Sequence, residues 1–188
     1  MTAVFKAPSV KCTATTTGVG PGVGMATGTL KHMVLSISGV RYACISGKLD
    51  ALAAVEVDDV GSSVIKDVVP GDVMRATVTT SATKTTATIA DTTKGHTFTV
   101  TKSGTGGTSV REAVFDDAVY YDGTTQVPVA DFGSISFSAA AVGGTALGSA
   151  SLNGKAFNWE SSTKVVKVVT GALTGKKRNA FTTTWKHS

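Results

Sequence analysis

"KTTATIADTTKGHTFTVTKSG" (residues 84–104) decides the fold class. On either side of "DTTKG", threonine alternates with Ala, Ile, Phe and Val. Alternation at a period of two is the signature of a strand, because successive side chains leave a pleated backbone on opposite faces. The Asp-Thr-Thr-Lys-Gly between the two runs supplies turn chemistry, so the stretch reads as a β-hairpin. Working outward, the Pro70-Gly71-Asp72 turn is a strong punctuator, and a second period-two strand follows it from Val73. "VPVADFGSISFSAAAV" (127–142) repeats the pattern, with Ile135 and Phe137 on one face and Ser134, Ser136 and Ser138 on the other.

The remaining segments fit the same class. "TAVFKAPSVKCTATTT" (2–17) reads as a strand broken at Pro8, and "LKHMVLSISG" (30–39) and "VRYACISG" (40–47) as two strands ending at glycines. "GVGPGVGMATGT" (18–29) between them reads as a surface loop whose glycines supply positive φ. "DALAAVEVDD" (50–59) puts Leu52, Ala54 and Glu56 on one face and Ala51, Ala53, Val55 and Val57 on the other; "VEV" and the acidic turn favour strand over helix. "SVREAVFDDAVYYDG" (109–123) is one long strand or a pair, and "KVVKVVT" (164–170) and "RNAFTTTWKHS" (178–188) close the chain. On the order of ten strands at 8–12-residue spacing signal a sandwich or barrel. The economical reading is all-β: one domain, 1–188, built as a two-sheet antiparallel β-sandwich.

Composition agrees. The chain has 188 residues, 41% hydrophobic, rich in Thr, Val, Ser, Ala and Gly. β-Branched residues pack well on a pleated surface and lose rotamer freedom in a helix. The net charge is +5, but only 16% of residues are charged, and the basic ones are dispersed until Lys164, Lys167, Lys176, Lys177, Arg178 and Lys186. Without interleaved aromatics or a known module they point to edge-strand protection, not to nucleic acid. No apolar run is long enough for a transmembrane helix and no signal-peptide pattern is present, leaving cytoplasmic and extracellular locations both open. Nothing in the sequence speaks to oligomeric state.

The residues that carry chemistry are few. The three histidines, His32, His96 and His187, lack a G-x-S-x-G partner, which argues against a Ser-His-Asp hydrolase. "GVGPGVG" lacks the Lys-Ser/Thr of a phosphate loop. Cys12 and Cys44 match no metal-ligand spacing, and no metal or other cofactor is implied; they are either one disulfide or two buried thiols. Most aspartates sit at turns, where they cap the backbone. Glu56 and Glu112 instead lie within strands, a position glutamate normally avoids. A carboxylate in a sandwich groove can act as general acid or base; one on the wet face does nothing.

Several stretches, taken in order, resemble the glutamic peptidases, the eqolisin family. They are "VVPGDVMRATVTTSATKTTATIADTTKGHTFT", "SVREAVFDDAVYY", "VPVADFGSISFSAA" and the terminal "FTTTWKHS", with "VFKAPSVKC" resembling the family's opening strand. The resemblance covers most of the chain. It implies a lectin-like jelly-roll sandwich, secretion, an acid pH optimum and a peptide or protein substrate. It also implies a catalytic pair, in which a glutamate activates water and protonates the leaving amine while a glutamine stabilises the oxyanion. Glu112 falls at the position of that glutamate, Asp116 at the second acidic residue of its strand, and Glu56 at a cleft-lining glutamate. The glutamine does not carry over. "MVLSISG" stands where the family has its Trp- and Asp-bearing strand, the segment after it holds no Gln, and the sole glutamine is Gln126 in a "TTQVP" turn. Arg41 and Tyr42 are then candidates for the cleft lining, and Arg41, Tyr42 or Lys48 for a substitute donor. Within the resemblance, Cys12 and Cys44 pair as a disulfide clamping the first strand to the third. The alternative expectation is an inactive sandwich that serves as a binding module for a glycan or protein partner, or as a structural part of an assembly.

Overall fold

The computed structural model describes residues 1–29, 32–58, 60–104, 110–118, 121–122, 125–152, 155–156, 158–160 and 166–186. Of these, 28–29, 32–33, 60–64, 110–118, 121–122, 125–126 and 159–160 are described by backbone alone. The strands are β1 (Thr2–Lys6), β2 (Thr17–Thr29), β3 (His32–Ile45), β4 (Lys48–Val57), β5 (Val60–Ile65), β6 (Val73–Thr80), β7 (Lys84–Asp91) and β8 (His96–Ser103). They continue as β9 (Val110–Ala118), β10 (Tyr121–Asp122), β11 (Thr125–Gln126), β12 (Ser134–Val142), β13 (Thr145–Ala146), β14 (Trp159–Glu160), β15 (Val166–Thr170) and β16 (Phe181–Trp185).

These strands form a β-sandwich. A nine-stranded sheet runs β14-β15-β16-β12-β1-β6-β7-β8 with β13 added to β12, and a five-stranded sheet runs β5-β4-β3-β2-β9. Every named pairing is antiparallel. The hairpin expected at 84–104 is β7–β8, with Asp91 opposite His96. The Pro-Gly-Asp turn feeds β6 as expected, and 50–56 is strand, not helix.

The core lies where the two inner faces meet. Phe5, Met74, Ala76, Val78, Ala87, Ile89, Ile135 and Phe137 come from the larger sheet; Val19, Val23, Met25, Val40, Tyr42, Ala53, Val55 and Val57 come from the smaller one. Each set occupies alternate positions of its strands, so the period-two pattern is what brings the two layers together. Phe137 stacks on Phe181 with ring centroids 4.8 Å apart and meets Phe5 at 5.5 Å, contacts worth about 0.5–1.5 kcal/mol each beyond area burial. Ser38, buried on β3, donates to the Thr88 carbonyl of β7 at 2.6 Å and pins one layer to the other. In β12 the alternation breaks at Ala139, whose φ is 51°. The bulge restores an inward position for Ala140, which is fully buried.

Two expectations fail instructively. Residues 18–29 are not a loop: β2 is an interior strand, paired with β3 on one side and β9 on the other. Its glycines are not there for positive φ, which is found instead at Gly47, Gly71, Gly95, Gly104, Gly133, Gly143, Gly144 and Gly175. Gly22 is there because the backbones approach closely. A Cβ on Gly22 would lie 2.5 Å from the Ser38 carbonyl oxygen, and one on Gly39 would lie 2.6 Å from that of Pro21. For the same reason 30–39 and 40–47 are not two strands. β3 runs straight through Gly39, which is glycine because it faces Gly22, not because the chain turns.

Candidate functional site

The five-stranded sheet has one face toward the core and one away from it. Antiparallel partners share a face, so the register defines cross-strand rows on the outer side. Position 112 is opposite Ala26, and Ala26 is opposite Leu35, which is 46% exposed and so marks this face as the outer one. The next row is Val114, Gly24, Ile37, Glu56 and Gly61, and the one after is Asp116, Gly22, Gly39, Ala54 and Ser63. Gly22, Gly24, Ala26 and Gly39 are buried. Ile37, Ala54 and Glu56 are half-buried. Small residues therefore occupy the middle of this outer face, and positions 112, 116 and 56 lie on its rows.

β9 carries a register slip beside Glu112. Ala26 pairs with Glu112, but Thr27 pairs with Val110, so Arg111 is an extra residue, a β-bulge. Bulges recur next to active sites, where the local change of twist re-aims a neighbouring side chain. The side chains of Glu112, Asp116 and Gln126 lie outside the described residues. Their backbones do not: Gln126 is opposite Tyr121 in the separate β10–β11 hairpin.

Strand spacing sets what Glu112 can reach. Glu56 is three strands away, about 14 Å, and one row along, about 7 Å, giving roughly 16 Å in all. Asp116 is four residues along the same strand, about 13 Å. Neither shares a hydrogen bond with position 112 at such distances. Arg41 is exposed on β3 opposite Leu52, on the outer face but six residues from Leu35, about 20 Å along the strand. Lys48 sits farther still, opposite Ile45 at the β3–β4 turn.

Tyr42 requires a correction. It is fully buried among the core residues, because its position in β3 has the parity of Val40 and Ser38 and not that of Arg41. It lines the interior and not the outer face. Burial first, then the nearby Asp72 carboxylate, push its phenol well above the ordinary tyrosine value. Its hydroxyl has no hydrogen-bond partner among the described residues. Neither Tyr42, Arg41 nor Lys48 can then serve as a donor beside Glu112.

Cys12 and Cys44 form a disulfide, with Cα atoms 5.3 Å apart. Cys12 lies between β1 and β2, so the bond ties that connection, and not β1 itself, to β3. A cluster that the sequence did not single out lies at one end of the sandwich. Lys94 reaches Asp72 at 2.9 Å, Asp67 at 3.5 Å and Asp91 at 4.0 Å, and His96 stands 3.8 Å from Asp67. Burial works to raise the Asp72 titration. Hydrogen bonds from the Val69 amide and Lys94, with the Lys94 charge, outweigh it, and the carboxyl sits below its ordinary value. The cluster ties the Pro-Gly-Asp turn to the β7–β8 turn and is structural. No group of three or more His, Cys, Asp or Glu among the described residues is arranged to hold a metal.

A two-sheet antiparallel sandwich with an acid-bearing strand, β9, at the edge of its smaller sheet defines a class of β-sandwich proteins, and comparison with known proteins narrows it. The sequence matches the Peptidase A4 family over residues 1–182. The chain belongs to that family. Among solved structures it is similar to the aspergilloglutamic peptidase from Aspergillus niger, at 23% identity and TM-score 0.71, over 90% of this chain and 99% of that one. It is similar to scytalido-glutamic peptidase, solved with a peptide-based transition state analog, at 15% identity and TM-score 0.68, over 98% and 91%. A third is SCP-B, of the eqolisin family of peptidases, solved with the tripeptide Ala-Ile-His, at 15% identity and TM-score 0.60, over 98% and 90%. At these identities the likeness shows the fold. A search of curated proteins gives no match.

Proposed function

We propose that this single-domain chain is a glutamic-type acid endopeptidase, with Glu112 as its general base and acid. Glu112 takes a proton from water as the water oxygen attacks the substrate carbonyl carbon. It then returns that proton to the amide nitrogen as the C–N bond breaks. The observation that carries this reading is the register of β9, which sets position 112 at a bulge on the outer row of the smaller sheet. Family membership and the peptide-bound relatives support a peptide substrate for this chain as well. The Cys12–Cys44 disulfide supports an oxidising, extracellular setting. The test is cleavage of denatured casein at acid pH, read by mass spectrometry of the products. The reading requires new peptides from the wild type and none from Glu112→Gln.

A second reading has its own support. The described side chains in the row of Glu112, Ala26 and Leu35, offer no donor to an oxyanion. Losing such a donor typically costs about 10²–10³ in kcat. On this reading the outer face of the smaller sheet still binds an extended peptide, or a glycan or protein partner, without hydrolysing it. Peptide binding unaccompanied by cleavage in the same experiment favours it.

A further inference from the structure

The outer face of the nine-stranded sheet lies on the far side of the molecule from Glu112, and its charge is one-sided. Phe5, Met74 and Ala76 are buried in the core, so Lys6 of β1 and Arg75 of β6 stand outward, and both are exposed. Val4 is opposite Arg75, which sets the two cations on adjacent strands about 8 Å apart. Lys84 of β7, exposed with the outward parity of Thr86, lies about 20 Å farther along the sheet. At the opposite end Lys186 donates its amide to the Lys167 carbonyl at 2.8 Å, beside the inward pair Val168 and Trp185. None of these five cations has an ion pair among the described residues, and no carboxylate stands among the described side chains of this face. Unopposed charge of one sign is complementary to a polyanion.

The surface between the cations narrows the kind of polyanion. It is covered with hydroxyls held in cross-strand pairs: Thr2 meets Thr77 at 3.1 Å, Thr88 meets Thr99 at 3.0 Å and Thr86 meets Thr101 at 2.9 Å. The rings of this sheet, Phe5, Phe137 and Phe181, are buried on the other side. A single-stranded nucleic acid calls for aromatic side chains on which bases stack. A membrane surface calls for large apolar side chains that enter the interface. A flat layer of hydroxyls with spaced cations instead matches a polymer that is itself rich in hydroxyls and carries spaced carboxylates. We infer that this face binds an acidic polysaccharide, a chain of uronic acid sugars, with Lys6 and Arg75 at the centre of the contact. The inference is independent of the peptidase reading, because it uses the opposite sheet.

The test is binding of the full chain to immobilised polygalacturonate, read by biolayer interferometry at low salt and about pH 5, where lysine, arginine and uronate are all charged. Binding is expected, and it should weaken steeply as salt is raised. Removing Lys6 and Arg75 together, as Lys6→Ala with Arg75→Ala, should weaken it about twentyfold, roughly fivefold for each cation. Both side chains are exposed, so the urea midpoint of the pair should match wild type. The control pair, Lys48→Ala with Lys66→Ala, removes the same charge from the β3–β4 turn and from the segment after β5. It should change binding by less than about twofold. Equal losses from the two pairs overturn the inference, because net charge alone would then explain the binding. It is overturned equally by no binding to polygalacturonate, or by dextran binding as tightly. Tighter binding to single-stranded DNA or to phosphatidylserine vesicles through the same two cations overturns the polysaccharide assignment and gives the face to that partner.

Discussion

Gly22 and Gly39 face each other across β2 and β3 so closely that a Cβ on Gly22 would lie 2.8 Å from the Gly39 Cα. No side chain can be accommodated there without moving backbone. Either glycine changed to alanine should destabilise the fold by about 1–3 kcal/mol, read as a lower urea midpoint at unchanged slope. Gly95 is a control for volume alone, since a Cβ there meets nothing within 4 Å and only its φ of +74° resists substitution.

That pair also shows what the sequence made legible and what it hid. The glycines of "GVGPGVG" recur at every second position, Gly18, Gly20, Gly22 and Gly24, between Val19, Pro21 and Val23. This is strand periodicity with glycine as the small face. Glycine density and Pro21 masked it, because both ordinarily mark loops. Where alternation used threonine against aliphatics, as in 84–104, the strands and turn were readable directly. The inward parity of Tyr42 was readable too, since Val40 and Tyr42 share a face, but its polar tip suggested the cleft. The bulge at Arg111 and the Lys94 cluster depend on register and long-range contact, and no local pattern announces either.

Tyr42→Phe should cost less than about 1 kcal/mol and leave acid proteolysis unchanged. Removing a buried hydroxyl that has no partner among the described residues also removes its desolvation cost. Thermal unfolding and casein cleavage check the two halves, and a large loss of activity would return Tyr42 to the site.

Asp72 and Lys94 should tie stability to pH in opposite directions. The Asp72 titration is below its ordinary 3.8 in the folded chain, so its contribution is present above that value and is lost as pH falls through the lower folded one. Hydrogen bonding to Asp72 leads the causes that raise Lys94 above its ordinary 10.5, so that contribution is present below 10.5 and is lost as pH rises through the folded value. Asp72→Asn should lower Tm by several degrees at neutral pH, and the gap from wild type should close in strong acid. A gap that stays constant down to pH 2 would contradict this assignment.

The Cys12–Cys44 bond closes a separation of 32 residues, for which loop entropy gives about 3–4 kcal/mol. Replacing both cysteines with alanine should lower stability by about that amount. Thiol titration of the unfolded, unreduced protein should find no free sulfhydryl.

The most direct test of the central claim compares wild type with Glu112→Gln on one peptide, with turnover and binding measured separately under acid conditions. Loss of a general base that acts only in the transition state should reduce kcat by about 10²–10⁴ while Kd for the peptide is unchanged. Equal turnover by the two proteins would contradict the assignment of Glu112 as the catalytic carboxylate.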